Sequence, residues 1–136
     1  MANTITLAVV VLNHTNEEMI LEERDLESGK WIDRPESIPS GEESDFITGG
    51  GQCGGIAGLV RWRSERTGSE FTISFNKPVR GTTRFSVNTS DQYRYTISGD
   101  PLDRHALVRV SFYRQGLELP ELPVLPELTE LDIPGF

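Results

Sequence analysis

The chain has 136 residues, enough for one domain and too few for two ordinary ones. Apolar residues make up 36% and no apolar run approaches the ~18 residues of a membrane-spanning helix, so the composition is that of a globular protein with one modest core. A net charge of −8 disfavours duplex nucleic acid as a partner, and a single cysteine, Cys53, excludes an internal disulfide.

The pattern along the chain is mostly of period two. Ile5 to Leu12 is apolar on both faces for much of its length, as central strands are. Thr15-Asn16-Glu17-Glu18 fits a helix capping box, yet Met19 to Asp25 also reads as a strand turning at Ser28-Gly29. The strand reading is adopted here, because the first strand and Trp31 frame a hairpin. From Asp33 to Ser44 the chain is polar with two prolines, which predicts a surface loop.

Val60 to Arg63, Phe71 to Asn76, Arg84 to Val87 and Tyr93 to Ser98 follow, each with apolar and polar residues alternating. Tyr93, Tyr95 and Ile97 share one face, which predicts that they point to the core. Ala106 to Tyr113 is apolar on both faces like the first segment. Turn signals at Thr67-Gly68-Ser69, Arg80-Gly81, Asn88 to Asp91 and Gly99-Asp100-Pro101 separate the segments. Short strands at this spacing predict a single antiparallel β-sandwich, residues 1–115.

Residues 116–136 form a tail of another kind. Pro120, Pro123 and Pro126 recur every third residue, as do Leu119, Leu122, Leu125, Leu128 and Leu131. Polyproline II has three residues per turn, so the leucines would share one edge. Two readings stand. The stripe docks on its own domain or on a neighbouring chain, or the tail is a solvated acidic linker.

The charge falls in blocks. Residues 1–60 carry 3 basic and 11 acidic groups, residues 61–114 carry 10 basic and 5 acidic, and residues 115–136 carry 5 acidic groups and nothing basic. Eleven of the 13 basic residues are arginine, the better side chain for gripping planar anions. Either the two halves neutralise each other at the surface, or some arginines form a patch for phosphate or sulfate groups.

Motifs for catalysis fail on context. Gly49-x-Gly51-x-x-Gly54 matches the dinucleotide fingerprint, but a strand follows where that fingerprint needs a helix. The surrounding glycines suit a tight reversal or a close approach of strands. Cys53 has only His14 and His105 as partners for nucleophilic chemistry, and nothing in the sequence places either beside it. Two histidines and one cysteine are a poor supply for zinc. Paired carboxylates such as Glu17-Glu18 and Glu22-Glu23 lie in polar stretches, as solvated faces do. Asn13-His14-Thr15 and Asn88-Thr89-Ser90 match the glycosylation sequon, yet the start of the chain lacks the basic region and cleavage site of a signal peptide. The expectation is therefore no enzyme, no cofactor, no metal, and a soluble location, cytoplasmic or released without a classical signal, with at most peripheral contact with membranes.

Taken in order, the apolar first strand running into Leu12-Asn13-His14-Thr15, then Gly29-Lys30-Trp31, then Pro35-x-x-Ile38-Pro39-x-Gly41 and Phe46 make a distinctive line. It continues through a glycine run ending Gly58-Leu59-Val60-x-Trp62 to Phe71-x-Ile73-x-Phe75-x-x-Pro78. This resembles the actinoporin-like superfamily of sea-anemone cytolysins, aegerolysins and fungal fruit-body lectins, over about four-fifths of the chain. The resemblance implies a β-sandwich that binds membrane lipids or glycans without catalysis. In the cytolysins a proline matching Pro78 begins a lipid-headgroup site completed by aromatics; here Val79-Arg80-Gly81-Thr82-Thr83 follows, which argues against a choline site. The resemblance carries Trp31 over as an interfacial aromatic. The candidate ligand-binding residues are Trp31, Arg80, Arg84, Tyr93 and Tyr95, of which Trp31 is expected to be exposed and Trp62 to be core. The expected function is non-enzymatic recognition of a lipid headgroup at a membrane surface. The alternatives are a glycan-binding lectin, or a structural protein whose tail, residues 116–136, assembles a homo-oligomer or recruits a pore-forming partner.

Overall fold

The computed structural model describes residues 5–50 and 54–114; Cys53 and the tail with its leucine stripe lie outside the described residues. Nine strands are described, with no helix among these residues: β1 (Thr6–His14), β2 (Ile20–Ser28), β3 (Lys30–Asp33), β4 (Glu43–Gly49), β5 (Ile56–Arg63), β6 (Glu70–Lys77), β7 (Arg84–Thr89), β8 (Tyr93–Gly99) and β9 (His105–Arg114). They form a five-stranded sheet in the order β3-β4-β1-β9-β8 and a four-stranded sheet in the order β2-β5-β6-β7. All pairs within the strands are antiparallel except β1 with β9. The expected β-sandwich is the fold observed, and β1 and β9 are its central strands.

Alternation explains the core. Leu7, Val9 and Val11 of β1 point inward beside Ala106, Val108, Val110 and Phe112 of β9. Facing them are Val60 and Trp62 of β5 and Phe71, Ile73 and Phe75 of β6. Phe71 stands edge-on to both Phe112 and Tyr93, with ring centroids 5.1 and 4.9 Å apart. Such geometry sets the positive ring edge against the negative face and adds to the burial energy. Trp62 is core as expected, and its indole N–H donates to the Glu36 carbonyl at 2.8 Å.

Three expectations need correction. The turn at Ser28-Gly29 does not close a hairpin: β2 pairs with β5 in one sheet and β3 pairs with β4 in the other. Gly29, at φ 90°, makes the crossing between sheets, and a Cβ there would lie 2.8 Å from the Gly49 carbonyl. Second, the stretch from Asp33 to Ser44 is more than a surface loop. Ile38 within it is fully buried and exchanges two backbone hydrogen bonds with Met19, at 2.9 and 2.8 Å. The loop thus lids one end of the core, and β4 already begins at Glu43. Third, only Tyr93 of the β8 face is core, as detailed below.

A buried polar hub fixes that lidded end. Asn13 Nδ2 donates to the carbonyls of Glu17 and Ile38, while its Oδ1 accepts from the Thr15 N–H and hydroxyl. One amide therefore fastens the β1–β2 crossing to the lid loop. The first of the two sequons is consumed in this hub, since the Asn13 side chain is fully buried. Replacing Asn13 by Ala removes four hydrogen bonds and leaves the Thr15 N–H without its acceptor. The expected loss is about 3 kcal/mol in urea unfolding, with an unchanged slope.

Candidate functional site

The sandwich has two ends. One is closed by the lid loop and the Asn13 hub. The other gathers the β6–β7 turn, the β8–β9 turn and the start of β1. Its residues Ile5, Lys77, Pro78, Val79, Arg80, Gly81, Leu102 and Arg104, with Thr83, line a shallow open depression. Parallel pairing of β1 with β9 brings the start of β1 to the β8–β9 turn, because it sets Thr6 beside His105 and lets the Thr6 N–H donate to the Arg104 carbonyl at 3.0 Å.

Each turn follows from its residues. Proline at 78 ends the β6 ladder for want of an N–H, and Gly81 at φ 106° reverses the chain into β7. Gly99, at φ 100°, opens the β8–β9 turn, where the Asp100 carboxylate accepts from the Leu102 N–H at 2.9 Å. The two turns project Val79 and Leu102 outward; they are 54% and 68% exposed. Apolar side chains raised this far into water at the tips of adjacent turns flank a guanidinium, Arg80, that makes no ion pair among the described residues.

Beneath the turns lies Lys77. It is buried, and its ammonium donates to the Pro101 carbonyl at 2.6 Å, tying the end of β6 to the β8–β9 turn of the opposite sheet. Burial pulls the Lys77 ammonium below the ordinary lysine range, while the carboxylates of Asp100 and Asp103 pull it back up. Gly55 makes room here: a Cβ on it would sit 2.3 Å from the Lys77 carbonyl, so the residue before β5 packs backbone on backbone.

Arg61 and Arg63 of the basic block are engaged elsewhere. On the outer face of the four-stranded sheet, Arg61 bonds Glu22 at 3.2 Å and also Glu23, and Arg63 bonds Glu22 at 2.6 Å and Glu70 at 2.7 Å. The hydrogen bond from Arg63 holds the Glu22 carboxyl below the usual range. The acidic first half and basic second half do neutralise each other on this face. Arg80, Arg84, Arg94 and Arg109 make no ion pair among the described residues.

The five residues singled out from the sequence fall in three places. Arg80 lines the depression, and Arg84 opens β7 at the same end. Trp31 is on β3, at the far margin of the five-stranded sheet from β8. It is half-buried, packed edge-on to Phe46 at 5.8 Å, because pairing with β4 turns it inward. The expected exposure of Trp31 is thus not observed. Tyr93 is buried against Phe71 at the opposite end of β8 from the depression. Tyr95 is 41% exposed and Ile97 42%, although register places both on the inner face with Phe112 and Val110. The four-stranded sheet ends at β7 and leaves them uncovered. Leu102, Lys77 and Arg104 escaped the sequence reading; the proline and aspartates of the 100–103 turn were read only as punctuation.

Among the described residues no three His, Cys, Asp or Glu side chains gather as metal ligands would. No described helix is long and apolar enough to cross a membrane. The sequence matches no family model and no curated protein. Solved structures do share the fold. The lipid binding protein Nakanori superposes with a TM-score of 0.69 at 14% identity, over 81% of this chain and 71% of that one. IP-1A from Alcaligenes faecalis superposes at 0.62 with 13% identity, over 84% of this chain and 94% of that one. The β-sandwich implied by the sequence resemblance is the architecture these neighbours have.

Lys77 gives a signed pH dependence. The folded state holds this proton less tightly than the unfolded chain, whose lysine titrates near 10.4. The burial cost is therefore complete at neutral pH and is relieved as pH rises through the folded value. Thermal unfolding at pH 8 and pH 10, wild type beside Lys77→Met, should show the difference between them moving in favour of the wild type at the higher pH.

Proposed function

We propose that this protein is a non-enzymatic module that recognises an anionic lipid headgroup at a membrane surface through the open end of the sandwich. One observation carries the reading: Val79 and Leu102 stand exposed on adjacent turn tips beside Arg80, over a basin whose floor holds Lys77. Apolar tips enter the acyl boundary while cations meet phosphate, the division of labour that peripheral membrane proteins use. Pro78 and Arg80 occupy the turn where the sequence resemblance implies a headgroup site, and a solved protein of this fold binds lipid.

The energetics need both parts. One arginine near an anionic surface contributes on the order of 1 kcal/mol, too little against a chain of net charge −8. Burying Val79 and Leu102 adds about 1.5–3 kcal/mol each. Tight binding follows only when tips and cations engage together, and the cationic share fades with salt.

Flotation with phosphatidylcholine vesicles, with and without phosphatidylserine, tests this. The full chain should float with the serine-containing vesicles at low salt, and Val79→Asp/Leu102→Asp should lose tenfold or more of the bound fraction. Arg80→Ala should weaken binding at low salt and matter little at high salt. No flotation with any vesicle would defeat the reading, and glycan-array binding in its place would make the protein a lectin.

A further inference from the structure

The two sheets are unequal, and the mismatch leaves an apolar seam. Tyr95 and Ile97 lie on the inner face of β8 by register, opposite Phe112 and Val110, yet both are about two-fifths exposed. Across the gap stand Phe85, half-buried, and Thr89 of β7. An inner face is apolar because something covers it, and among the described residues nothing covers this stretch. Among the described residues β8 also has a margin without a partner strand.

The chain itself supplies a cover of the right chemistry. β9 ends at Arg114, whose register partner is Tyr93 at the start of β8, so residue 115 begins one strand away from the seam. Beyond it lies the tail, with Leu119, Leu122 and Leu125 on one edge of a three-residue repeat. At ~3.1 Å per residue, Leu119 to Leu125 spans about 19 Å in polyproline II. β8, at ~3.3 Å per residue, runs about 20 Å from Tyr93 to Gly99. The four residues 115–118 reach about 13 Å extended, enough to step over the end of β8 into the gap between sheets.

Charge agrees with the geometry. The tail carries five carboxylates and no cation. Arg94 of β8 lines the open depression that Thr89 and Tyr95 also line, exposed and without an ion pair among the described residues. Strand addition is a poorer fit. Prolines at every third position remove donors that a β ladder needs at every second, so the contact must be made by side chains.

We propose that residues 119–125 dock in polyproline-II conformation along the uncovered inner face of β8, covering Tyr95 and Ile97 of the same chain. Docking would close the seam between the sheets and place Glu118 and Glu121 near Arg94. This inference is independent of lipid binding, and its test contains no lipid.

The test uses the full-length protein. Replacing Leu119, Leu122 and Leu125 together by Asp touches nothing in the sandwich core. In amide NMR spectra this variant should move the resonances of Phe85, Tyr95 and Ile97 and leave those around Trp31 in place. In the reverse experiment, Ile97→Asp should accelerate cleavage after Glu121 by a glutamate-specific protease about tenfold, since cleavage tracks the undocked population. Unmoved seam resonances in the leucine variant would overturn the proposal even if Ile97→Asp folds poorly. A wild-type dimer in sedimentation that the leucine variant dissolves would also overturn it, by placing the stripe on a second copy.

Discussion

The open end of this sandwich depends on one buried cation. Lys77 closes β6 by donating to the carbonyl of Pro101, a residue of the opposite sheet. A buried ammonium must find acceptors; the Pro101 carbonyl is one, and Asp100 and Asp103 favour the charged form against the larger effect of burial. The bond therefore constrains both turns at once. Pro78 follows directly on Lys77, so the tip bearing Val79 and Arg80 is anchored by the same residue that anchors Leu102. Without that tie, exposed apolar side chains on two independent turns would move separately, and each would lose more entropy on ordering.

The distribution of arginines then separates structure from function. Arg61 and Arg63 meet Glu22, Glu23 and Glu70 across three adjacent strands of one outer face. Pairs so exposed contribute little to stability individually, but they neutralise the sheet and discourage anions from settling there. Of the arginines without an ion pair among the described residues, Arg80 and Arg84 lie at the open end, Arg94 on β8 and Arg109 on β9. A protein of net charge −8 can thus present local positive charge without a globally basic surface.

Most of the fold was legible because alternation is a direct record of burial. Leu7-Val9-Val11 and Phe71-Ile73-Phe75 read as inward faces and are inward faces. The failures have particular causes. β4 carries only Phe46 and Thr48 on its inner face, among acidic neighbours that look like loop, and Thr48 satisfies its hydroxyl by donating to the Leu7 carbonyl. The Ser28-Gly29 turn was mistaken for a hairpin because a positive-φ glycine serves a sheet-to-sheet crossing as well as a reversal. The two candidate clusters had different legibility. Arg80 was visible beside Pro78, whereas its partner Leu102 sits 22 positions away in a turn with no apolar pattern of its own. The pairing of β1 with β9 sets Ile5 beside the turn that bears Leu102, and the Lys77–Pro101 bond ties that turn to the end of β6 next to Arg80; neither contact leaves a local signal.

The misreading of Tyr93, Tyr95 and Ile97 is the most informative of these. Period two correctly assigned all three to the inner face, as their pairing with β9 confirms. Burial needs a second surface, and periodicity within one strand cannot count the strands of the opposing sheet. With five strands facing four, the last inner face has no layer above it after Tyr93 among the described residues. Sequence selects apolar residues for an environment, so residues that look like core yet stand in water imply a missing layer. In this chain 22 residues follow β9, and they carry leucines at the spacing of an extended helix rather than of a strand. Under the docking proposed for residues 119–125, the apparent error in the strand pattern and the leucine repeat of the tail are two halves of one packing problem.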